Sequence, residues 1–191
     1  MTKQDESTLV GVLNRAFERD AIFEYVQPQE QRRTRIAGLF HKASVRYAHQ
    51  FGVVDVAPQG AGLALWLPPG AEHLTLPRML RTGFGSLGLS LGVALPRLLH
   101  VDSQLSQMHN AHAAGRHWYL FLLGVDPAFH GQGVGSQLLA QGVARAKAQG
   151  LPVYLETQTE ANVAFYTRRG FTVQEQRVIA PGLTTWALTQ E

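Results

Sequence analysis

The stretch from His117 to Gly170 limits the fold more than any other part of the chain. Trp118-Tyr119-Leu120-Phe121-Leu122-Leu123-Gly124-Val125 is apolar at every position, which reads as a strand covered on both faces. A loop, Asp126 to Gln132, leads into a helical run from Gly133 to Gln149, with Val134, Leu138, Leu139, Val143 and Ala146 on one stripe. Gly150 and Pro152 end that run. Val153 to Glu156 is a second buried strand, and Glu160 to Arg169 a helix stopped at Gly170. Two covered strands joined through a helix need a helix-backed sheet, so the fold class is α/β.

The rest fits around this unit. Ser7 to Arg19 reads as a helix with Ser7 as N-cap, and Gln29 to Gln50 as a longer one. Its stripe is Ile36, Leu39, Phe40, Ala43 and Tyr47. Arg32, Arg33, Arg35, Lys42 and Arg46 lie mostly off the stripe and read as a solvated face. Val53 to Ala57 and Leu63 to Leu67 are paired strands across Pro58-Gln59-Gly60. Phe171 to Val178 and Thr184 to Leu188 pair across Ala180-Pro181-Gly182. Leu74 to Gly115 reads as a helical insert. Its uncharged run, Gly83 to Pro96, is shorter than the about 20 residues of a membrane span and is broken by glycines. It is expected to pack on the core, or to wall a ligand pocket. The 191 residues suit one domain.

With no cysteine, disulfides, thiolate metal sites and cysteine nucleophiles are excluded, and a reducing compartment, the cytoplasm, is expected. The opening MTKQDESTLVG carries no signal-peptide apolar run. A formal charge of +3 permits an anionic ligand. The aromatics near the basic cluster, Phe40 and Tyr47, lie on the apolar stripe and not among the charges, so nucleic acid is not expected as a partner, nor is a membrane.

Gly131, Gly133 and Gly135 alternate where the loop becomes a helix. Glycines there let backbone N–H groups crowd at a helix N-terminus, a cradle for a pyrophosphate. A Walker A loop would need a lysine, and Gly135-Ser136-Gln137 has none. A dinucleotide fingerprint would make Glu156 the ribose-binding acid. However, Asp126 to His130 separate the strand from the glycines, Ser136 fills the third glycine place, and too few residues follow Glu156.

Val-Asp-Pro followed by His130-Gly131-Gln132-Gly133-Val134-Gly135 resembles the acyl-CoA loop of the GNAT N-acetyltransferases, whose pattern is Gln or Arg, two residues, Gly, one residue, Gly or Ala. His130 departs at the first position. Leu155-Glu156-Thr157, Asn162 and Phe165-Tyr166-Thr167-Arg168-Arg169-Gly170-Phe171 resemble the family's second signature. Ala64-Leu65-Trp66-Leu67-Pro68-Pro69 and His117-Trp118-Tyr119-Leu120 are similar to the branch that holds puromycin N-acetyltransferase. The resemblance implies a single-domain GNAT-like fold, with a mixed, mostly antiparallel sheet. The family usually opens with a strand before its first helix, and here that strand is expected to be short or missing.

The resemblance also implies acetyl-CoA as co-substrate and a primary amine of a small molecule as acceptor; a non-catalytic acyl-CoA-binding or sensor protein on the same fold, and a protein-modifying acetyltransferase, are the alternatives, and a homodimer stays open. It assigns cofactor binding to Leu123, Val125, His130, Gly131, Gln132, Gly133, Val134, Gly135, Ser136, Asn162, Phe165 and Tyr166. Val125 would offer N–H to the acyl oxygen, Asn162 would meet the pantetheine, and the Tyr166 phenol would protonate the leaving thiolate. Glu156, ending a buried strand, is the candidate base, with His109, His112 and His117 as rivals. These histidines invite a zinc reading, but they show no i, i+4 pair, and no metal is expected.

Overall fold

The computed structural model describes residues 1–191. Helix α1 (Lys3–Ala16) begins earlier than the expected Ser7 because Thr2 and Asp5 form a capping box. Thr2 Oγ1 accepts from Asp5 N–H at 3.1 Å, and the Asp5 carboxylate from Thr2 N–H at 2.9 Å. A helix absent from the sequence reading, α2 (Ala21–Val26), is started by the Asp20 side chain. Six residues are too few for helical periodicity to show. The long α3 (Glu30–Phe51) falls where expected and buries Ile36, Ala43 and Tyr47. Of the basic cluster, Arg46 and Lys42 pair with Glu6 of α1, at 2.7 and 3.6 Å.

Strands β1 (Val53–Val56) and β2 (Gly62–Leu67) form the expected hairpin. The insert is three helices, α4 (Leu76–Thr82), α5 (Phe84–Leu91) and α6 (Leu95–His112). Phe84, Leu87, Leu91, Ala94 and Val101 bury into the core beneath α1 and α3, so packing is its main role. By length and composition alone Phe84–His112 could cross a bilayer, but Gly92 at φ 49° breaks the run between α5 and α6. Its outer side leaves Leu89 and Val93 exposed.

The C-terminal half is β3 (Trp118–Val125), α7 (Val134–Lys147), β4 (Val153–Thr157), α8 (Glu160–Thr167), β5 (Thr172–Ala180) and β6 (Leu183–Gln190). The six strands form one sheet in the order β1-β2-β3-β4-β6-β5. Only β3 and β4 run parallel; every other pair is antiparallel, the mixed sheet expected. Helices α1 and α3 and the insert cover one face around Leu13, Tyr47 and Leu65, and α7 covers the other around Trp66, Leu138 and Leu155. Gly142 lets α7 lie directly on the Trp66 indole, where any Cβ would enter the ring.

Two features shape the middle of the sheet. Opposite β2, Leu65 pairs with Leu122 but Trp66 with Leu120, so β3 carries a bulge at Phe121. Phe121 and Leu122 consequently turn to the same face, while Leu120 and Leu123 turn to the other. On its other side β3 pairs with β4 only at Trp118↔Val153 and Tyr119↔Tyr154. Beyond those residues the two strands part, leaving a gap at their C-terminal ends.

Candidate active site

The loop after β3 closes on itself before α7. Asp126 accepts from Ala128 N–H at 3.1 Å and is held by Arg15 of α1 at 2.6 Å. Gly131 and Gly133 have φ of 76° and 80°, conformations that side-chain-bearing residues rarely adopt. A Cβ at either would meet no protein atom within 4 Å, so the space above them is open. Gly133 is the N-cap of α7, and no side chain accepts from that helix's first N–H groups. At Gly135 a Cβ would make ordinary contact with Val125 and Phe165, at 3.4 and 3.6 Å, so there is room for a methyl group but little beyond it. An open cradle of unclaimed N–H groups at a 14-residue helix fits a pyrophosphate.

His130, at the place of the family's arginine or glutamine, donates from Nε2 to the Val125 carbonyl at 3.1 Å. Asp126 N–H donates to Ala61 across to β2. Strand alternation therefore turns the backbone groups of Leu123 and Val125 the other way, into the gap beside β4. These are the two β3 residues expected to meet the acyl chain. Ser136, in the first turn of α7, accepts from Arg169 at the end of α8. The Arg169 guanidinium also lies 3.7 Å over the Phe165 ring and donates to the Phe165 carbonyl at 2.6 Å. It places a fixed positive charge beside the cradle. The sequence reading gave Arg169 no role, although it sits inside the second signature. Gln132 and Val134 lie within the cradle's backbone path, with Gln132 exposed.

Asn162 is exposed on α8 and donates from Nδ2 to Thr157 Oγ1 at 3.0 Å, which ties it to the end of β4. Tyr166 is buried against Phe165 and Phe171, at centroid distances of 5.1 and 5.6 Å. Burial alone raises its phenol above the ordinary 10, so the hydroxyl stays protonated at neutral pH.

Glu156 lies two residues beyond Tyr154, the last residue of β4 that pairs with β3, on the face roofed by α6. Its side chain is 4% exposed. Burial raises its carboxyl to about 7, and Tyr119 and Tyr154 beside it pull the value only part of the way back. Neither tyrosine completes the site: Glu156 Oε1 and Tyr154 Oη are both buried without a well-formed hydrogen bond. Tyr154 and Glu156 share a face by strand alternation, a signal the sequence carried. Tyr166 belongs to the core on the α7 side, whereas Glu156 faces α6. The acid and the base candidates thus lie on opposite faces of the sheet.

The structure separates the three histidines. His109 Nδ1 lies 3.8 Å from Glu156 Oε1, and His109 and His117 meet through their Nε2 atoms at 2.8 Å. His112 turns away to Glu175 at 2.7 Å. No group of three or more His, Cys, Asp or Glu side chains is placed to hold a metal ion.

A strand, glycine cradle and helix beside a strand gap, with a neutral phenol on one face of the sheet and a buried carboxyl on the other, resemble the acyl-CoA site of GNAT-type transferases in arrangement. Residues 98–171 match the model of the acetyltransferase (GNAT) family. The whole chain aligns with the crystal structure described as histone acetyltransferase HPA2 and related acetyltransferase from Corynebacterium glutamicum, covering 92% of it at TM-score 0.64 and 23% identity. A protein assigned to the GNAT family from Desulfovibrio desulfuricans aligns over 94% of its length at TM-score 0.56 and 14% identity. An uncharacterised N-acetyltransferase of Schizosaccharomyces pombe is 28% identical over 68% of this chain and 55% of its own length. Mycothiol acetyltransferase of Streptomyces coelicolor is 34% identical over 39% of this chain and 26% of its own. The chain therefore spans about half, or less, of the curated relatives it matches. The family model thus matches the part of the chain from α6 to the end of α8, which holds the glycine loop and both candidate catalytic residues.

Proposed function

We propose that this protein is an N-acetyltransferase that moves the acetyl group of acetyl-CoA directly to a primary amine of a small molecule, within a ternary complex. The observation that supports this reading is the open glycine cradle at the start of α7, with Glu156 and Tyr166 on opposite faces of the same sheet. Acetyl-CoA supplies an activated thioester. The N–H groups from Gly131 to Ser136 hold its pyrophosphate, with Arg169 adding charge. Leu123 and Val125 offer backbone N–H groups in the gap, where Val125 stabilises the charge that develops on the acyl oxygen. Asn162 and Phe165 line the same channel. Holding both reactants there removes much of the entropic barrier.

Glu156 takes the proton of the attacking amine, and Tyr166 gives one to the departing sulfur. With its carboxyl titrating at about 7, Glu156 is ionised above that pH, so the rate has an acid limb near 7. The insert favours a small acceptor over a peptide: α6 brings His109 against Glu156, roofing the base rather than leaving an open groove. Mycothiol acetyltransferase, by its name, acts on a small molecule. The test is calorimetric titration with acetyl-CoA and, separately, NAD. One-to-one binding of acetyl-CoA supports the reading. Binding of NAD and not of acetyl-CoA at millimolar concentration would return the glycine loop to the dinucleotide interpretation.

A further inference from the structure

Glu156 is sealed from solvent at the inner end of a chain of imidazoles. His109 Nδ1 faces its Oε1 at 3.8 Å, and His109 Nε2 meets His117 Nε2 at 2.8 Å. His117 Nδ1 lies 2.7 Å from the Gly115 carbonyl. A carbonyl only accepts, so His117 Nδ1 carries a hydrogen. A neutral His117 then has a bare Nε2, which must accept from His109 Nε2–H. A neutral His109 in turn has a bare Nδ1, and that is the atom facing Glu156. Every member of the series is thus set by the carbonyl at its outer end. His117 and Gly115 line a cavity of about 210 Å³ together with Ala114, Pro152 and Tyr154. That cavity lies at the N-terminal ends of β3 and β4, the end of the strands opposite the cofactor cradle.

We propose that the proton Glu156 takes from the amine leaves through His109 and His117 into this cavity; the proposal rests on Glu156 being the base. The Glu156 O–H bond breaks as His109 Nδ1–H forms, and His109 Nε2–H breaks as His117 Nε2–H forms. His117, now an imidazolium, releases its Nδ1 proton to solvent in the cavity. The net change is one proton moved from amine to water; His109 is left with its hydrogen on Nδ1 and His117 on Nε2, and exchange of the ring protons with water in the cavity restores the starting tautomers.

The surroundings suit transfer without storage of charge. Burial, with His117 and His73 nearby, lowers His109 to about 4, so it carries charge only in passing. Tyr119 of β3 and Tyr154 of β4 pack on its ring at 4.8 and 4.5 Å, and burial raises both phenols, so neither ionises. His73 lies 6.3 Å away from the segment before α4. Asp102 of α6 acts on Tyr119. On the β5 side, Glu175 is already satisfied by His112 and Arg177, each at 2.7 Å.

Two measurements test the relay. In the parent protein, two-bond ¹H–¹⁵N correlations should place the hydrogen on Nε2 of His109 and on Nδ1 of His117 at pH 7. A hydrogen on His109 Nδ1 with a neutral His117 overturns the proposal without any assay of activity. In the second arm, His117→Ala should lower turnover about 10²-fold with KM unchanged. Added imidazole, which can enter the enlarged cavity, should restore turnover in proportion to its concentration. Unchanged turnover, or a loss in a folded variant that imidazole does not restore, overturns the relay. A parent protein that acetylates no amine refutes the base assignment instead.

Discussion

Replacing Glu156 with glutamine separates a catalytic carboxyl from a structural one. The substitution keeps the shape and removes the charge. Between the ordinary 4.5 and about 7, the carboxyl is protonated in the folded chain and ionised in the unfolded one. The folded state then holds the extra proton, so stability falls as pH rises through that window. Above pH 7 the whole cost of the buried charge is present, about 3 kcal/mol at about 1.4 kcal/mol per pKa unit. Glutamine removes that cost but leaves an amide short of partners, so a net gain of about 1–3 kcal/mol is expected. For a chain of this size that is a rise in Tm of about 2–10 °C at pH 8, falling steadily with pH and, at pH 4.5, where only the amide's cost remains, gone or reversed. His109, lowered to about 4, makes both proteins less stable as pH drops below 6.5, and this common loss subtracts out of the comparison. The same variant should lose about 10²–10⁴ in turnover. Thermal melts of both proteins from pH 4.5 to 8.5, beside an acetyl-transfer assay, read both effects. A Tm difference that does not grow with pH, or a variant less stable at pH 8, would show that Glu156 is not a strained, buried base.

Other substitutions probe the remaining parts. Tyr166→Phe should leave acetyl-CoA affinity nearly unchanged and lower turnover about 10²–10⁴-fold, flattening the basic limb of the pH–rate profile; turnover within about twofold of the parent would reduce Tyr166 to packing. Gly133→Val forces a branched residue to φ 80° and fills the cradle, so calorimetry should find acetyl-CoA binding lost while circular dichroism stays native. Gly135→Val should do the same by pressing on Val125 and Phe165. Gly142→Ala, far from the site, should destabilise by about 1–3 kcal/mol in denaturant melts, because its methyl displaces the Trp66 ring from the core.

Much of the fold was legible because its signals are local. The unbroken apolar run of β3, the stripe of α7 and the stop at Gly150 each follow from neighbours in sequence. So did the cradle, whose Gly131 and Gly133 are spaced for the left-handed turns they adopt. What the sequence hid depends on contacts between distant segments. The bulge at Phe121 appears only when β2 is laid beside β3. Helix α2 is too short for its period to show, and α1 starts at Thr2 rather than Ser7 because a reciprocal cap outweighs a lone serine. Glu156 stood out as the acid ending a buried strand, but its neighbours come from β3 and α6. His109 and His117 were read as rivals of Glu156; the structure instead lines them up behind it. Arg169 was hidden because its partner Ser136 lies 33 residues away, in the first turn of α7.

The most direct test of the account is release of free thiol from acetyl-CoA across a broad panel of small primary amines and short peptides, against a control without amine. The account predicts release that depends on at least one small amine, matched one-to-one by N-acetylated product and absent in the control. Acetyl-CoA that binds but releases no thiol with any acceptor would make the protein a non-catalytic acyl-CoA binder. Release with peptides alone would contradict the small-molecule acceptor.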